Sequence, residues 1–384
     1  MNSYRNPTVF IHIVTYNDAE YILTCLESIV EQDAFSIGNN LIVEVTDNAS
    51  SDATVERIKE MYPEKIRVVS NPINLGFSAG HNQGIKRFLD SDADYILILN
   101  PDVALEPNAI RELVSVIADD ENAGSVCPRL YRADEKLQPV VPRRIDSAGM
   151  YFERNLRHFD RGSQEIDHGQ FDKPCYVFGG SGAAWMFRRE ALLSLALRGR
   201  KYDRDKGKIY PELLENEGDR FPVFDEAFFA YREDADLAWR AQWLGWRCRY
   251  VPSAVGYHRR VVLPGRRRAL NPAYNRWSVR NRFLMQLVNL HGWANFRQIV
   301  PGFLRNALVV WGVVLTERTS LGALREVYTL LNRCAERRRI LFSRAQASYS
   351  DMSRWFENSL DGEPIEDYTR RIISDGYMQT QSWG

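Results

Sequence analysis

Short apolar runs alternate with helically spaced apolar residues along the first part of the chain. Four of the runs have the length and composition of buried strands: Val9–Val14, Leu41–Val45, Ile66–Val69 and Tyr95–Leu99. Between them, apolar residues recur at helical spacing, as in Ile22, Leu26, Ile29 and Val30, in Val55, Ile58 and Met61, and in Ile85, Phe88 and Leu89. This alternation predicts a parallel sheet with right-handed crossovers.

The pattern changes twice further along the chain. Residues 125–190 hold short strand-like pieces and no long helical pattern, which indicates loops and a mixed sheet. Helical spacing returns over residues 234–244 and dominates beyond about residue 270. We therefore expect an α/β domain over residues 1–265 and a helical C-terminal extension over residues 266–384.

Composition and charge narrow the range of partners. The 50 basic and 50 acidic residues give no net charge, so the overall charge does not favour nucleic-acid binding. The cysteines are scattered without a CxxC pair, which argues against zinc knuckles and a disulfide framework and favours a reducing cytosol. The polar N-terminus predicts no signal segment. The most apolar run, Ile299–Leu315, contains Pro301, Arg305 and Asn306, and we expect it to be buried or to lie at an interface.

Polar residues follow each of the four predicted strands. Because ligands collect at the carboxyl ends of parallel strands, these residues together predict a site, although each alone fits a turn or a helix cap. Asp102 follows a proline turn and has the chemistry to hold a divalent metal against a phosphorylated ligand. GxGxxG does not follow the first strand, and no Gly-Lys-Ser or Gly-Lys-Thr is present there, so neither a Rossmann dinucleotide site nor a P-loop is expected. The four segments are Thr15-Tyr16-Asn17, Asp47-Asn48-Ala49-Ser50, Asn71–Asn82 and Asn100-Pro101-Asp102.

The side chains of these segments suit a nucleotide. Asp47 suits the edge of a base that offers N–H donors, and Asn48 and Ser50 could reach ribose hydroxyls or backbone. Gly76 and Gly80 allow the main chain to approach a ligand closely or to adopt a positive φ.

Two later segments carry candidate chemistry, and each has a structural alternative. Glu233 and Asp234 precede a helical pattern, where the helix dipole favours acids, but a carboxylate there could also act as a general base that takes a proton from a hydroxyl group. Arginines crowd residues 259–282, where they either bind a diphosphate or form a solvated basic face.

Taken in order, the strand-end motifs resemble those of family 2 glycosyltransferases with the GT-A fold, in particular the bacterial rhamnosyltransferase-like branch. The resemblance covers about residues 8–260 and rests on Thr15-Tyr16-Asn17, Asp47-Asn48-Ala49-Ser50, Asn74–Asn82 and Asn100-Pro101-Asp102. It implies a mixed α/β sheet of the Rossmann-like nucleotide-diphospho-sugar transferase type. The donor half would span about residues 1–120 and the acceptor half about residues 121–265. It also implies an inverting transfer with a divalent cation, Mg²⁺ or Mn²⁺.

The resemblance implies roles for individual residues. Asp102 matches the metal-binding carboxylate of a DxD-type motif in which Asn100 replaces an acid, and His258 would be a further metal ligand. Asp234 matches the catalytic base. The implied acceptor-binding residues are Gly180, Ser181, Gly182, Glu233 and Asp236. The implied donor-binding residues are Thr15, Tyr16, Asn17, Asp47, Asn48, Ser50, Asn74, Gly76, Phe77, Gly80, Asn82, Asn100 and Asp102.

The implied partners follow from the branch. The donor would be a dTDP- or UDP-sugar, with dTDP-rhamnose favoured, and the acceptor a cell-surface glycan or a lipid-linked saccharide. The helical tail mixes arginines with aromatic and aliphatic residues, which suits the surface of an anionic membrane, a core or a homodimer seam. The expected location is the cytoplasm or the inner face of the plasma membrane.

Two alternatives remain open at the level of sequence. A non-catalytic scaffold in a polysaccharide assembly complex is favoured by Asn100 and disfavoured by the intact Glu233-Asp234 pair. A sugar-phosphate nucleotidylyltransferase would carry a basic, Gly-rich loop after the first strand, where this chain has Thr15-Tyr16-Asn17-Asp18.

Overall fold

The computed structural model describes residues 7–199, 201–260, 272–293, 295–357, 362–365 and 367. The strands in this part of the chain are β1 (Val9–Thr15), β2 (Leu41–Asp47), β3 (Arg67–Ser70), β4 (Tyr95–Leu99), β5 (Val103–Leu105), β6 (Ala123–Arg132), β7 (Ile145–Ser147), β8 (Met150–Phe152), β9 (His158–Asp160), β10 (Cys175–Val177), β11 (Ala184–Arg188) and β12 (Arg247–His258). The α-helices are α1 (Ile22–Val30), α2 (Thr54–Met61), α3 (Gly76–Leu89), α4 (Ala109–Asp119), α5 (Arg189–Leu195), α6 (Glu233–Trp243), α7 (Pro272–Asn289), α8 (Phe296–Leu315), α9 (Leu321–Thr329), α10 (Leu331–Phe342) and α11 (Tyr349–Arg354).

All of these strands except β8 and β9 form one sheet. Its order is β10-β12-β6-β11-β4-β1-β2-β3, with β5 beside β12 and β7 beside β6. β1 pairs in parallel with β2 and β4, and β2 pairs in parallel with β3. β11 runs antiparallel to β4 and β6. The predicted parallel strands and the predicted mixed sheet are therefore confirmed.

Helices cover both faces of the sheet because its central strands are apolar on both sides. Val9, Ile11 and Ile13 of β1 belong to a core with α1 and α4, whereas Phe10 belongs to a second core with α3, α5 and α6. A strand buried on both faces is a continuous apolar run in the sequence, which is why β1 could be predicted.

Helices α7, α10 and α11 share the second core. Leu284 and Val288 of α7 are buried in the same cluster as Trp239 and Trp243 of α6. Trp243 Nε1 also donates a hydrogen bond to the carbonyl oxygen of Asn289 at 2.9 Å. The domain boundary predicted between residues 265 and 266 lies outside the described residues and stays a prediction. The arginines within residues 261–271 also lie outside the described residues, so their predicted role stays a prediction.

One buried amide holds the loop that precedes α6. Asn281 of α7 donates from Nδ2 to three carbonyl oxygens within residues 228–231, at 2.7–2.9 Å. In this loop Phe229, Tyr231 and Arg232 have φ of 63°, 69° and 70°, a left-handed conformation that is uncommon for such side chains. Each such residue costs about 1–3 kcal/mol and persists only where surrounding contacts hold it. The loop therefore holds the first residues of α6 in a fixed position.

Candidate active site

A cavity opens at the carboxyl edge of the parallel strands. Its volume is about 920 Å³, and its wall is formed by the end of β4, the loop before β11, the start of α6, the end of β12, the β8–β9 hairpin and the facing sides of α7 and α8. The carboxyl group predicted to bind metal and the one predicted to act as base therefore face a common space. The sequence-predicted residues that line the cavity are Phe77, Asn100, Asp102, Ser181, Gly182, Glu233, Asp234 and His258.

Strand pairing explains why distant segments meet here. The backbone N–H of Asn100 donates to the carbonyl oxygen of Ala183 at 2.9 Å, which places the glycine-rich loop beside the end of β4. β12 runs antiparallel to β5, so His258 stands opposite Val103 and next to Asp102. Three segments that are far apart in the chain thus meet at one edge of the sheet.

His258 lies between two carboxylates. Its Nδ1 is 2.7 Å from Oδ2 of Asp146, and its Nε2 is 3.5 Å from Oδ1 of Asp102. Burial opposes a charge on the imidazole, but Asp102 and Asp146 outweigh it and raise the pKa of His258 to about 9. A histidine whose Nδ1 donates to a buried carboxylate presents Nε2 in a fixed direction, an arrangement common at metal sites.

Asp146 is a residue that the sequence analysis missed. It is fully buried in β7 and pairs with Arg132 Nη1 at 3.2 Å and with Arg260 Nε at 3.1 Å. Burial opposes ionisation, but Arg260 and His258 hold the pKa of the Asp146 carboxyl well below its usual value. Arg260 also pairs with Asp160, which lines the cavity, at 2.6 Å. We call Asp102, Asp146, Asp160, His258 and Arg260 the paired wall.

Two adjacent carboxyl groups begin α6. Asp234 accepts a hydrogen bond at Oδ2 from the N–H of Gly182 at 3.3 Å, and burial followed by the charge of Asp160 raises the pKa of Asp234. Glu233 is deeper, and burial together with the charge of Asp234 raises its pKa well above the usual value. A raised pKa makes a carboxylate a stronger base, so Asp234 is placed to accept a proton from a group in the cavity.

The ends of β1 and β2 form a rim beside the cavity. The carboxylate of Asp47 is buried and accepts from Thr15 Oγ1 at 3.2 Å and from the N–H of Ser50 at 3.1 Å. The N–H of Asn17 donates to Ser50 Oγ at 2.9 Å, and the Tyr16 side chain is 52% exposed. The structure thus gathers these five predicted donor-binding residues in one place, with Tyr16 open to solvent.

Other predicted donor-binding residues point into the fold. Asn48 is buried and donates from Nδ2 to the carbonyl oxygen of Gly76 at 3.1 Å. Asn82 is fully buried and exchanges two hydrogen bonds of 2.9 Å with the backbone of Phe224. A Cβ on Gly80 would lie 2.9 Å from a valine side chain of β1, so this glycine permits α3 to approach the sheet. The predicted donor contacts of Asn48, Gly80 and Asn82 are corrected to structural roles, because no open surface is left at them.

Asn74 and Gly76 shape a turn that packs on the loop before α6. Asn74 Oδ1 accepts from the N–H of Gly76 at 2.8 Å. Gly76 has a φ of +80°, and a Cβ there would lie 2.7 Å from the ring of Phe229. Only glycine fits both the backbone angle and this close approach.

Gly180 and Asp236 lie behind the cavity surface. A Cβ on Gly180 would lie 2.7 Å from the ring of Trp185. Asp236 pairs with Arg240 Nε at 2.8 Å and accepts from Asn289 Nδ2 at 2.7 Å. The acceptor contact predicted for these two residues is therefore corrected to support of α6 and of the loop before β11.

Asp18 is a second acid whose setting was not predicted, because its position before the first helix suggested only a cap. The N–H of Tyr16 donates to its Oδ2 at 2.8 Å. Burial outweighs this contact and, with the negative charges of Asp102, Asp52 and Asp47, raises the pKa of Asp18 to about 7. The carboxyl group of Asp18 therefore lies close enough to Asp47 of the rim and to Asp102 of the paired wall for their negative charges to repel.

Comparison with known proteins identifies relatives of the chain. The sequence profile described as Glycosyl transferase family 2 matches residues 10–195. An N-acetylglucosaminyl-diphospho-decaprenol L-rhamnosyltransferase of Mycobacterium tuberculosis is 25% identical over 264 residues, which are 66% of this chain and 76% of the relative. A chondroitin synthase of Pasteurella multocida is 30% identical over 138 residues, 35% of this chain but only 13% of the synthase.

Among solved structures, a crystal structure of GalNAc-T7 with UDP, GalNAc and Mn²⁺ superposes with a TM-score of 0.54 at 12% identity. The superposition covers 99% of this chain and 59% of the GalNAc-T7 chain, so the present chain spans little more than half of that protein. At this identity the likeness shows a shared fold.

Proposed function

Since the chain is a family 2 glycosyltransferase of the GT-A fold, we propose that it transfers rhamnose from a pyrimidine nucleotide-diphosphate donor to a hydroxyl of a glycan or lipid-linked saccharide. The transfer inverts the anomeric centre and uses a divalent cation, Mg²⁺ or Mn²⁺. The observation that supports this most is that Asp102, His258 and Asp234 line one cavity.

Asp102 and His258 are the residues that would hold the cation. Asp146 fixes the imidazole through Nδ1 and leaves Nε2 directed towards Asp102, which suits a metal with oxygen and nitrogen ligands. No set of three His, Cys, Asp or Glu side chains in the described part of the chain could hold a metal ion alone. Phosphate oxygens of the donor would therefore complete the coordination. When bound, the cation offsets the charge of the diphosphate leaving group.

The rim of β1 and β2 is the proposed nucleoside side. Asp47 accepts hydrogen bonds from Thr15 and Ser50 at the end of β2, and Tyr16 offers an exposed ring against which a base could stack. A thymidine or uridine diphosphate there would extend its phosphates towards Asp102. The Mycobacterium tuberculosis relative supports rhamnose as the sugar, because it is named as an L-rhamnosyltransferase.

Asp234 is the proposed base. Its Oδ2 accepts from the N–H of Gly182, and the strained loop before α6 fixes its backbone. From there it takes the proton of the acceptor hydroxyl while the hydroxyl oxygen attacks the anomeric carbon opposite the departing diphosphate. Attack from the opposite side inverts the configuration. Ser181, Gly182 and Glu233 line the same part of the cavity and would contact the acceptor.

A membrane surface is the proposed location of the acceptor. As far as length and composition go, α8 is long and apolar enough to cross a membrane, and one side of it lines the cavity. Its other side exposes Val300, Phe303, Leu304, Trp311 and Leu315. Within α8 the charged residues are Arg297 and Arg305, so the helix carries no acid that an anionic membrane would repel. We therefore propose peripheral contact of a cytoplasmic enzyme through α8.

A thermal-shift matrix tests donor and metal together. The protein is heated with dTDP-rhamnose, UDP-glucose or GDP-mannose, each with EDTA, Mg²⁺ or Mn²⁺. Saturating donor at about 100 times its Kd contributes about 2.7 kcal/mol, and we expect that gain for dTDP-rhamnose only with a cation. Equal stabilisation in EDTA contradicts the metal, and equal stabilisation by GDP-mannose contradicts the pyrimidine.

Two further measurements test the reaction and its location. The product of transfer to a polyprenyl-diphosphate N-acetylglucosamine is examined by NMR, and retention of the donor's anomeric configuration contradicts the mechanism. Sedimentation with anionic vesicles at low salt tests peripheral contact. A protein that stays in the supernatant contradicts peripheral contact, and its elution as a dimer would then favour the homodimer seam predicted for the helical tail.

A further inference from the structure

Three arginines converge on the side of the cavity formed by α7, α8 and the β8–β9 hairpin. Arg157, Arg282 and Arg305 all line the cavity. Among the described residues, no carboxylate lies within 4.0 Å of their guanidinium groups, in contrast to Arg260 with its two acidic partners. We call Arg157, Arg282 and Arg305 the arginine cluster.

Local packing explains why these arginines meet. A Cβ on Gly302 would lie 2.7 Å from Leu156, so α8 can approach the hairpin turn closely only because residue 302 is glycine. Arg157 follows Leu156 in the hairpin, and Arg305 lies one helical turn beyond Gly302. Close packing of α8 on the hairpin thus brings Arg157 and Arg305 to the same end of the cavity.

Arg282 is the third member and is held from α7. Its Nε donates to Asn306 Oδ1 at 2.7 Å, and its Nη2 donates to the carbonyl oxygen of Asn155 at 3.1 Å. It is therefore tied to both α8 and the hairpin. Arg157 stacks on the ring of Phe159 with 4.3 Å between its guanidinium carbon and the ring centroid. Arg305 has a buried Nε that lacks a hydrogen-bond partner within the described residues.

The electrostatics of the cluster are unfavourable without a ligand. Arg282 is 3% exposed, and burial followed by the charges of Arg305 and Arg157 lowers the pKa of Arg282 to about 10. Like charges at close range destabilise one another, and a buried charge without a counter-charge carries a large desolvation penalty. Multiple guanidinium groups directed into a cavity are the arrangement that binds phosphate, because each offers paired N–H donors.

The position of the cluster indicates what carries the phosphate. On one side the cavity continues to Asp234 and Asp102, and on the other it meets Leu308, which also belongs to the exposed apolar face of α8. An anion bound here would therefore lie between a sugar at the carboxylates and an apolar chain along the helix. The diphosphate of the donor has its own place beside Asp102 and His258.

We propose that Arg157, Arg282 and Arg305 bind the diphosphate of a polyprenyl-linked acceptor, with its sugar towards Asp234 and its hydrocarbon along α8. This inference rests on the proposed function, which it deepens by separating the acceptor's diphosphate from the donor's. In this proposal the donor's diphosphate lies at the end of the cavity with Asp102 and His258, and the acceptor's diphosphate lies at the arginine cluster.

The test uses a double variant and a matched control. Arg157→Gln with Arg305→Gln removes two charges and leaves Arg282, whose hydrogen bonds hold α7 to α8. Arg297→Gln removes one charge from the same helix at an exposed position where the arginine pairs with Glu357 and does not line the cavity. Thermal unfolding of each variant first establishes that it is folded.

Binding is measured by calorimetry in EDTA with farnesyl diphosphate and with inorganic pyrophosphate. We expect the unchanged protein to bind farnesyl diphosphate more tightly than pyrophosphate, because the isoprenoid chain follows the apolar side of α8. Loss of charge-assisted hydrogen bonds should weaken binding of farnesyl diphosphate about tenfold or more in the double variant and leave Arg297→Gln unchanged. Equal weakening in Arg297→Gln, or no binding by the unchanged protein, overturns the proposal. Pyrophosphate binding as tight as that of farnesyl diphosphate assigns the cluster to free phosphate and overturns the lipid assignment.

Transfer assays separate this site from the proposed function. The double variant should raise KM for a polyprenyl-diphosphate acceptor about tenfold and leave KM unchanged for the same sugar on an alkyl glycoside and for the donor. A rise in the donor KM places the donor diphosphate on the arginines and overturns the inference. If the unchanged protein transfers no sugar but the farnesyl diphosphate results hold, the proposed function fails and the anion site stands.

Discussion

The two sides of the cavity differ in whether their basic side chains have carboxylate partners. In the paired wall each arginine or histidine has a carboxylate partner, as Arg260 has with Asp146 and Asp160. In the arginine cluster, guanidinium groups face one another and none has a carboxylate partner within the described residues. A network of opposite charges fixes the geometry of its members before a ligand arrives. A group of like charges is instead completed by a ligand of the opposite sign.

The largest effect is expected between the two sides, at Asp234. Asp234→Asn keeps the shape of the side chain but removes the proton acceptor, so turnover should fall about 10²–10⁴-fold. Binding of the nucleotide sugar should persist, as measured by thermal shift with dTDP-rhamnose and Mn²⁺. The control is Asp119→Asn, the same change at an exposed residue at the end of α4. Turnover of Asp234→Asn within a factor of three of the unchanged protein would contradict its role as base.

A direct test of the contrast is to remove one arginine from each side. Arg260→Gln removes the guanidinium partner of Asp160 and one of the three cationic partners of Asp146. It should lower the free energy of unfolding by about 2–4 kcal/mol, near the cost of breaking a buried ion pair. Arg305→Gln relieves repulsion with Arg282 and should leave that free energy unchanged or raise it. Urea unfolding of both variants measures the difference. If both lose the same free energy, the two sides do not differ as described.

Asp146 should act through His258. Asp146→Asn removes the carboxylate that orients the imidazole, and loss of such a partner typically weakens metal binding about 10–100-fold. Mn²⁺ binding is measured by the electron paramagnetic resonance signal of the free ion. Asp225→Asn is the matched control, because Asp225 is an equally buried carboxylate paired with Arg333 and Arg337. An equal loss of Mn²⁺ affinity in this control would show that Asp146 acts only on stability.

The smallest effect is a pH dependence at Asp18. The pKa of its carboxyl is about 7 in the folded chain, above the 3.8 of a free aspartate, so its contribution to stability is complete below about pH 4 and is lost as the pH rises through 7. Asp18→Asn should therefore match the unchanged protein near pH 4 and exceed it at pH 8. We expect a difference in Tm of about 2–4 °C at pH 8 in EDTA. A constant difference at both pH values would contradict the raised pKa.

Periodicity predicted the part of the fold that carries the rim. β1 and β4 are apolar on both faces, so their bounds and the polar residues at their ends could be found in the sequence. Asp102 could be singled out because it follows a predicted strand, whereas Asp234 and His258 were assigned roles through the resemblance to family 2 glycosyltransferases. The sequence could not show whether a polar side chain after a strand faces solvent or the fold, and for this reason Asn48 and Asn82 were misassigned.

Residues that act through distant partners escaped prediction. Asp146 meets His258 across 112 positions of the chain, and neither local pattern nor propensity reports such a contact. The members of the arginine cluster come from the β8–β9 hairpin, α7 and α8, and they are brought together by the packing of Gly302 on Leu156 and by the hydrogen bonds of Arg282. Long-range packing decides both cases, so the rim was easier to predict than the arginine cluster.

Asn281 and Arg282 are consecutive residues of α7 that serve different ends of the cavity. The amide of Asn281 holds the strained loop in front of Asp234, whereas Arg282 belongs to the arginine cluster. A shift of α7 along its axis would therefore displace Asp234 and the arginine cluster together. The proposed base and the proposed acceptor site are thus both positioned by α7, through the side chains of two adjacent residues.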